Sequence, residues 1–496
     1  MSHGDADAGV MTPRSQFYDQ GKFGRLFPTL PPFASDTPLI RDALTDLGAP
    51  GGPMDAGDLV TDPIASITDP VLSEHNPDNP TMTAGMTFLG QFLDHDMTFD
   101  PTSSLARRQD PESIRNFRIP ALDLDSVYGG GPGVSPHLYD RWVDRGQTTF
   151  LVDPIPGCEP FSVDGTTRYD VPRNAQNTAI LGDPRNDENL IVDQLHLAML
   201  KFHNAVVADV RDELGSAYSA EDVFAEAHRE VRWHYQWMVL HEFLPLTIGA
   251  DLCTDILTNG RKHYSWRNSP YIPVEFSVAA YRFGHSQVRP TYRANFGTSA
   301  IDTAQQFFAP IFDPASTSDD PDDLRGGCRA PRRFIDWQTF FDFGDGRARR
   351  NKKIDTTLST ALFALMGQTP GQSTSLAARN LLRGLTMQVP SGQRVAKAMN
   401  LPLLDPADLA DVEATALKGR TPLWFYILRE ADVVADGVHL GPVGGRIVGE
   451  VFTGLIEGDA NSYLSQDPEW LPRYGTGDGF TMVDLLTKAG VVAALA

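Results

Sequence analysis

The chain has 496 residues, 41% of them hydrophobic, and its 64 acidic and 42 basic residues give a formal net charge of −22 at pH 7. This length suits either two to four ordinary domains or one large single-domain protein. The excess of negative charge argues against binding to nucleic acid or to anionic membrane surfaces. The sequence has no run of 18 apolar residues and no hydrophobic leader. We therefore expect no membrane span, and a protein that is cytoplasmic or secreted without a recognisable signal peptide.

Proline, glycine and aspartate are frequent in the first 80 residues, for example in FPTLPPFASDTP, and this composition is typical of loops. We predict a loop-rich N-terminal segment over residues 1–80 that wraps around one large domain over residues 81–496. In that domain, apolar spacings of three and four residues predict helices near residues 80–95, 188–213, 219–244, 276–287, 357–367, 374–385 and 445–456. Few runs alternate as strands do, so the predicted fold class is mainly α with little β.

The first predicted helix ends in a polar cluster, in the sequence NPTMTAGMTFLGQFLDHDMTFDP. Asn79 can act as its N-cap, with Pro80 in the first turn. Gln91, Asp94 and His95 then share one helical face, because they are spaced three and four residues apart. Polar and ionisable groups inside an apolar helix indicate a site, whereas a solvated helix end explains the same pattern without one.

The second polar cluster lies in GDPRNDENLIVDQLHLAMLKFHN, where the DP pair predicts a helix start. Arg185 and Glu188 are three residues apart and can face the same way. His196 and His203 are seven residues apart, which is about 10.5 Å along a helix and too far for both to bind one ion easily. We interpret these two histidines as buried core residues with hydrogen bonds.

Two shorter motifs allow more than one interpretation when each is taken alone. EFSVAAYRFGHS places Arg282 and His285 in an apolar helical stretch, where a single histidine is more often structural than a ligand. RIPALDLDS places Asp123 and Asp125 at alternate positions. Alternate carboxylates with backbone carbonyls suit a calcium ion, but they also mark a solvent-facing strand. The three cysteines lack CxxC spacing and are interpreted as ordinary thiols.

Six motifs occur in a fixed order: GQFLDHD, LDLDSVYG, GDPRNDEN with LHLAMLKFHN, AYRFGHS, NLLRG and TPLWF. Together, from about residue 80 to about residue 455, they resemble the animal haem peroxidase family of the peroxidase–cyclooxygenase superfamily. The resemblance implies a helical fold that buries haem between a distal and a proximal helix. It also implies that hydrogen peroxide is reduced, and that halides, thiocyanate or small aromatic donors are oxidised through a ferryl intermediate.

On the distal side, the resemblance assigns three catalytic roles. His95 matches the histidine that moves a proton between the peroxide oxygens, and Arg185 matches the arginine that stabilises developing charge. Gln91 matches the glutamine associated with halide and water. Asp94 and Glu188 match two carboxylates that are esterified to haem in some members, so the cofactor is expected to be haem b or an ester-linked derivative.

On the proximal side, His285 matches the ligand of the haem iron. Asn380, in the motif NLLRG with its preceding arginine, matches the asparagine that bonds the other imidazole nitrogen. Arg282 and Arg383 match cations near the haem propionates. The resemblance therefore implies that four residues hold the cofactor from this side.

A calcium site is also implied by the resemblance. Asp96 matches a calcium ligand beside the distal histidine, and Asp123 and Asp125 complete the set with backbone oxygens near Ile119 and Ala121. Asp125 stands where a serine is usual, and Ile119 stands where a threonine is usual. We therefore expect a more anionic site with one side-chain ligand fewer.

Two alternatives to a peroxidase remain open. A fatty-acid dioxygenase of the same superfamily uses a tyrosine three residues before the proximal histidine, but Arg282 occupies that position and Tyr281 lies one residue further back. A non-catalytic haem-binding or adhesion protein would need the proximal ligand without the distal residues. Asn189 stands where some members link a methionine to haem, so no sulfonium bond is expected. The sequence makes no prediction of oligomeric state.

Overall fold

The computed structural model describes residues 21–69, 71–72, 74–100, 105–106, 108–142, 148–313, 320–365 and 373–495. Helices dominate this part of the chain, which confirms the mainly α fold class. Its α-helices are α1 (Pro38–Leu47), α2 (Pro63–Thr68), α3 (Gly85–Met97), α4 (Asp125–Tyr128), α5 (Gly131–Val134), α6 (Leu190–Leu214), α7 (Ala220–Met238), α8 (Leu244–Ile248), α9 (Ala250–Asn259), α10 (Gly284–Gln287), α11 (Leu376–Thr386), α12 (Gly392–Ala398), α13 (Ala410–Glu413), α14 (Leu423–Ala435), α15 (Pro442–Gly458), α16 (Tyr463–Gln466) and α17 (Met482–Lys488).

The strands are short and pair in twos within the described ranges. They are β1 (Phe23–Gly24), β2 (Asp78–Thr83), β3 (Asp153–Pro154), β4 (Tyr169–Asp170), β5 (Ile272–Pro273), β6 (Thr291–Asn295), β7 (Phe307–Pro310) and β8 (Arg350–Lys352). β1 pairs with β5 in parallel, whereas β2 with β8, β3 with β4 and β6 with β7 pair antiparallel. Pairs this short are not stable alone, so the helical core holds them in place.

α6 is the longest helix of the described chain, and α3 and α7 pack against it. Asn189 caps its start by accepting the N–H of Val192 at 2.9 Å, and the helix ends at Gly215, whose φ of 74° favours glycine. Every residue from Leu190 to Leu200 is buried, as expected of a helix enclosed by others. Each fully buried leucine, isoleucine or valine in it stabilises the fold by about 1.5–3 kcal/mol.

α3 brings the first polar cluster into the core. Leu89, Phe92 and Leu93 on this helix are fully buried. Its first residue, Gly85, lies against the ring of Phe341, and a Cβ at position 85 would come within 2.5 Å of that ring. Only glycine permits so close an approach, so this residue sets how deeply α3 packs.

The predicted start of this helix at Asn79 is wrong. Asn79 and Pro80 lie in β2, which pairs with β8, and the helix begins only at Gly85. The side-chain oxygen of Asn79 accepts the N–H groups of Thr81 and Met82 at 3.0 and 3.1 Å. The side chain therefore supports a local turn within the strand instead of a helix N-terminus.

Two predicted helices are interrupted near the polar clusters. The DP pair begins a 3₁₀ turn, Pro184–Asp187, and α6 starts separately after the Asn189 cap. The stretch predicted over 276–287 consists of a π-helical turn, Glu275–Ala279, a 3₁₀ turn, Ala280–Phe283, and then α10. Changes of helical pitch like these re-aim side chains, which matters because both segments contain candidate site residues.

The remaining predicted helices differ in accuracy. Those predicted over 374–385 and 445–456 are confirmed by α11 and α15, and the one over 219–244 divides into α7, a π-helical turn and the start of α8. Of the helix predicted over 357–367, the structure shows a 3₁₀ turn at Thr360–Phe363, and residues 366–367 lie outside the described residues. α1, α9 and α14 were not predicted.

The part of the N-terminal segment that the structure describes contributes to the main core. Phe33 and Leu44 are buried there, and α1 packs against α11. The boundary at residue 80 stays a prediction. Among the described helices, none combines the length and apolar character that a membrane crossing requires.

Candidate functional site

A cavity of about 570 Å³ lies between α3, the Pro184–Asp187 turn and the segment that ends in α10. This volume falls within the range of about 300–1,000 Å³ that is usual for cofactor pockets. Apolar residues such as Phe88, Ile311 and Leu362 form much of its lining. The polar lining residues include seven side chains singled out above, namely Gln91, Asp94, His95, Glu188, Asn189, Arg282 and His285.

Three distal candidates contact one another at one end of this lining. His95 is buried, and its Nε2 lies 3.5 Å from Oε1 of Glu188. The amide of Gln91 donates to the same carboxylate oxygen and accepts the side-chain N–H of Asn189 at 3.2 Å. The structure therefore brings an imidazole, a carboxylate and an amide together, from two segments that are about 90 residues apart.

The Glu188 carboxylate is stabilised in its charged form. Burial raises its pKa, but the hydrogen bond and charge of His95 in its protonated form, the charge of Arg185 and the hydrogen bond from Gln91 outweigh burial, so its pKa lies below the usual range. Its side chain is 46% exposed, because it faces the cavity. At neutral pH, Glu188 is a carboxylate in contact with His95.

Arg185 lies beside the cavity but is not among its lining residues. Its guanidinium donates to Asp183 at 2.7 Å and to the carbonyl oxygen of His95 at 3.0 Å, and it stacks 4.6 Å from the centre of the Phe99 ring. Arg118 also donates to Asp183, at 2.9 Å. The predicted distal cation is thus held under the C-terminal end of α3, where positive charge is favourable, and its charge acts on the site from a distance.

Asp183 is the anion that holds both arginines. It is fully buried, and although burial raises its pKa, the hydrogen bond and charge of Arg185 and the charge of Arg118 hold the pKa well below its usual range. The sequence analysis missed this role, since the DP pair was interpreted only as a helix start. Asp183 does begin that turn, accepting the N–H of Arg185 at 2.9 Å.

His285 is held from behind as a neutral imidazole. Its Nδ1 lies 2.8 Å from the side-chain nitrogen of Asn380, whose oxygen accepts a hydrogen bond from Arg282 at 2.7 Å. Burial, and next the positive charge of Arg282, lower the pKa of His285 to about 3. Because an amide nitrogen can only donate, Nδ1 accepts this hydrogen bond and the proton of the neutral ring lies on Nε2. Nε2 therefore becomes a metal ligand only when that proton is lost or moves to Nδ1.

Cationic side chains gather near His285. Burial, and next the charge of Arg282, lower the pKa of Arg383 to about 10, and burial likewise lowers the pKa of Arg282. Asp94 and Asp100 offset part of this effect. Arg282 lines the cavity, whereas Arg383 is not among the lining residues. Buried, mutually repelling cations at a cavity favour a ligand with carboxylate groups.

A second cluster lies on the other side of α3, where Asp96, Asp123 and Asp125 offer oxygen atoms that are all within 4.8 Å of one another. Asp96 accepts the N–H of Leu124 at 3.1 Å and the hydroxyl of Ser126 at 2.8 Å. Burial raises the pKa of Asp96 and of Asp123, and raises that of Asp125 to about 7. We call these three residues the aspartate triad.

The aspartate triad has the properties of a cation site. The Oδ1 atom of Asp125 is buried without a hydrogen-bond partner among the described residues. Ile119 donates its N–H to Asp125 at 3.1 Å, and its carbonyl accepts the N–H of Ala121 at 2.9 Å. The carbonyl of Ala121 accepts the amide of Gln236 at 3.4 Å. Three crowded carboxylates, one of them with an oxygen that has no hydrogen bond and a 3.8 Å ion pair with Arg118, fit a hard divalent cation.

Two core histidines have the contacts that were predicted for them. His203 is buried and lies 2.8 Å from both the hydroxyl of Tyr128 and the carbonyl of Thr148. His196 is buried and bonds the side chain of Asn186 at 2.9 Å. Asn186 itself also contacts His95, at 2.8 Å. The sequence analysis missed Asn186, although an amide between Arg185 and Glu188 in a charged turn was a signal for it.

The helical fold and the cavity, with two histidines and adjacent buried arginines, define a mainly helical protein with a pocket of cofactor size. The family model described as animal haem peroxidase matches residues 108–467, and the chain belongs to this family. The matched range includes Arg185, Glu188, His285 and Asn380, but it begins after α3. His95 lies outside the matched range, and it is assigned to this site because it lines the same cavity.

Individual relatives agree with this family assignment. The chain is 27% identical over 305 residues to chorion peroxidase of Drosophila melanogaster, which covers 60% of this chain and 35% of that protein. It is 24% identical over 413 residues to human thyroid peroxidase, over 76% of this chain and 41% of the relative. The chain thus spans less than half the length of these curated relatives.

A solved structure supports the fold. Peroxidase A of Dictyostelium discoideum superposes with a TM-score of 0.55 at 17% identity, over 84% of this chain and 86% of that one. At this identity the likeness shows the fold alone. The mainly helical architecture of the chain is therefore shared with a peroxidase.

Proposed function

We propose that this protein is a haem peroxidase that reduces hydrogen peroxide and oxidises halides, thiocyanate or small aromatic donors. The observation that carries the proposal is the presence of His95 and His285 on one cavity, each with its Nδ1 bonded away from it by an asparagine side chain. The oxygen of Asn186 leaves Nε2 of His95 free to take a proton, whereas ligation of a metal by Nε2 of His285 requires its ring proton to move to Nδ1, with the amide of Asn380 turned so that its oxygen accepts it. Haem, when bound, supplies the redox chemistry.

The residues present fit haem. His285 would ligate the iron, and Asn380 would orient its ring through Nδ1. Arg282 and Arg383 would pair with the propionates, which would compensate the burial, and next the repulsion, that lower their pKa values. Asp94 lines the same cavity as His285 and is half-buried, so a haem ester at this position would remove a charge from an apolar surrounding.

Glu188 is the second candidate for an ester bond. As a carboxylate it contacts both His95 and Gln91, and these contacts would change on esterification, because an ester carries no charge. The cofactor is proposed to be either haem b or a derivative linked through Asp94, Glu188 or both. Extraction of the haem into acidified organic solvent distinguishes these cases, since only unlinked haem leaves the protein.

Proton transfer is assigned to His95. Its Nε2 would take a proton from one peroxide oxygen and return it to the other, a function that typically contributes about 10²–10⁴-fold to rate. Gln91 would position peroxide, water or halide by its amide. Arg185, held by Asp183, would contribute a fixed positive charge near the site, as its effect on the Glu188 pKa indicates.

Calcium is proposed for the aspartate triad, with backbone oxygens near Ile119 and Ala121 completing the shell. The support is the buried Oδ1 of Asp125, which has no hydrogen-bond partner among the described residues, and the raised pKa values of all three carboxylates. A divalent cation would keep them ionised and join the 119–125 loop to α3. Because Asp96 follows His95 directly, the cation would also restrain the last turn of that helix.

A fatty-acid dioxygenase is the second candidate function, and one observation favours it. Tyr281 lines the cavity, and the fold of a fatty acid α-dioxygenase from Oryza sativa superposes with a TM-score of 0.55 at 13% identity over 88% of this chain and 77% of that one. Against it, the hydroxyl of Tyr281 donates to the carbonyl of Gly90 at 2.9 Å. A carbonyl oxygen accepts this hydrogen bond but is too weak a base to take the phenol proton, so formation of a tyrosyl radical there is disfavoured.

The deciding experiment uses purified haem-loaded protein. Its absorption spectrum is recorded before and after one equivalent of hydrogen peroxide, and turnover is then measured with bromide, thiocyanate, an aromatic phenol and a long-chain fatty acid. Peroxide-dependent turnover of the small donors supports the proposal, and oxygen uptake with the fatty acid supports the dioxygenase. If haem binds but its absorption spectrum does not change with peroxide, the protein is a haem-binding or adhesion protein and not a peroxidase.

A matched pair of variants tests the assignment of His95. His95→Gln should bind haem and lose most peroxide reactivity, whereas His203→Gln changes a buried histidine outside the cavity and should keep it. If the wild type and His95→Gln reacted with peroxide at equal rates, His95 would have no part in the proposed mechanism. Thermal melts of both variants separate loss of folding from loss of function.

A further inference from the structure

Asn186 contacts the ring nitrogen of His95 that faces away from the cavity. The side-chain oxygen of Asn186 lies 2.8 Å from Nδ1 of His95, and both residues are buried. An amide oxygen has no proton and can only accept a hydrogen bond. For this contact to be a hydrogen bond, Nδ1 of His95 must therefore hold the proton of the neutral ring.

The amide of Asn186 is itself oriented from its other end. Its Nδ2 lies 2.9 Å from Nδ1 of His196 on α6, which is buried. Burial lowers the pKa of His196 to about 3, so this ring is neutral and its Nδ1 can accept. Turning the amide over would place two donors or two acceptors against each other, unless both histidines changed tautomer together. The three side chains form one chain of hydrogen bonds, His95–Asn186–His196.

We propose that Asn186 and His196 are positioning residues that hold the proton of neutral His95 on Nδ1 and leave the lone pair of Nε2 facing the cavity. The proposal rests on the proposed function, in which Nε2 takes a proton from peroxide. The opposite tautomer would point an N–H at peroxide and could not take its proton. Control of the tautomer is therefore a condition for the reaction.

Glu188 favours the other tautomer of the His95 ring. Its carboxylate lies 3.5 Å from Nε2 and favours a proton on that nitrogen. The contact with Asn186 is 2.8 Å, an ordinary hydrogen-bond distance, whereas 3.5 Å to Glu188 is at the outer limit. The shorter contact is the stronger hydrogen bond of the two. The Nδ1 proton is therefore expected to prevail while Asn186 is in place and to be lost without it.

A neutral amide also suits this position better than a carboxylate. A carboxylate at 186 would accept the Nδ1 proton as well, but its charge would favour the protonated imidazolium. An imidazolium has no lone pair for peroxide. Asn186→Asp should therefore keep the proton on Nδ1 of His95 while slowing the reaction with peroxide. Asn186→Ala should no longer hold the proton on Nδ1. These two variants separate the position of the proton from the charge of the ring.

The primary test measures the tautomer itself. Haem-loaded protein labelled with ¹⁵N-histidine is studied by NMR in its diamagnetic ferrous carbon-monoxide form, in the wild type, Asn186→Ala, Asn186→Asp and His196→Phe. In the wild type, the ¹⁵N shifts of His95 should show a protonated Nδ1 and an unprotonated Nε2. Asn186→Ala should shift the population toward protonated Nε2, His196→Phe should do so partially, and Asn186→Asp should retain the Nδ1 proton.

His203→Phe is the matched control, because it removes a second buried histidine of α6 that contacts neither Asn186 nor the cavity. Its His95 signals should equal those of the wild type. A wild-type ring protonated at Nε2 would overturn the proposal without any variant having to fold. So would unchanged His95 signals in a folded Asn186→Ala.

A second readout links the tautomer to function through the rate at which cyanide binds, since hydrogen cyanide also gives its proton to a base on binding. Asn186→Ala should bind cyanide and react with peroxide about 10²-fold more slowly, the lower bound for loss of a positioned base. If wild-type protein fails to react with peroxide, the proposed function is wrong, and the NMR result still decides the role of Asn186. Normal cyanide and peroxide rates in Asn186→Ala would overturn the positioning role.

Discussion

Removing the proposed cation from the aspartate triad should destabilise the protein more at pH 8 than at pH 5. Burial raises the pKa of Asp125 to about 7, with the charge of Asp96 adding to this and Arg118 opposing it. An acid whose pKa is raised by folding binds its proton more tightly in the folded state. The resulting stability is present below the unfolded pKa, 3.8, and is lost as the pH rises through about 7.

The size of this effect follows from the shift at Asp125. A change from 3.8 to about 7 corresponds to about 4 kcal/mol, and little is lost to solvent screening because the side chain is 16% exposed. About 3 kcal/mol of this falls between pH 5 and pH 8. At about 2.1 cal/mol/K per residue, the unfolding entropy of 496 residues is about 1 kcal/mol/K. The melting temperature of calcium-free protein should therefore fall by about 3 °C over this interval.

Differential scanning calorimetry checks this prediction on protein treated with chelator, desalted, and scanned with and without millimolar calcium at both pH values. The calcium-dependent gain in melting temperature should be larger at pH 8. Asp125→Asn should raise the calcium-free melting temperature at pH 8 and reduce the response to calcium, whereas the exposed Asp478→Asn should do neither. A calcium effect of equal size at pH 5 and pH 8 would refute the reasoning.

Three further outcomes are expected. His285→Ala should lose haem, measured as the ratio of Soret to protein absorbance after reconstitution, and retention of the wild-type ratio would contradict its role as ligand. His95→Ala should keep haem but react with peroxide about 10²–10⁴-fold more slowly in stopped flow. Asp183→Asn should cost about 3–5 kcal/mol in urea unfolding because it leaves two arginines without their buried anion, whereas Asp322→Asn, in an exposed ion pair, should cost less than about 1 kcal/mol.

Much of the architecture was predictable from the sequence, because long helices such as α6 and α15 have clear apolar spacing. Helix ends were less predictable where a polar side chain can either cap a helix or make another contact. Asn79 is an acceptable N-cap in isolation, yet its oxygen supports a turn in β2, since pairing with β8 decides the backbone there. The DP pair likewise starts only one 3₁₀ turn, because Asp183 is committed to Arg185 and Arg118.

The candidate site was predictable as a set of residue types but not as a network. Motif order was enough to select His95, Glu188 and His285, and the structure brings all three to one cavity. Contacts between segments, such as that of Asn186 with His95, depend on the fold and leave no periodic signal in the sequence. The position of Arg185 beside the cavity was not predictable for the same reason, since Asp183 and the end of α3 determine it.

The last turn of α3 places His95 and Asp96 next to each other in the chain, with one side chain toward the cavity and the other in the aspartate triad. Successive side chains on a helix are separated by a fixed rotation of about 100°. An adjustment of the triad to a larger or smaller ion would therefore change the tilt of the imidazole. The ionic radius of the proposed cation would then set the orientation of His95, and exchange of calcium for strontium or a lanthanide would vary it without altering a single residue.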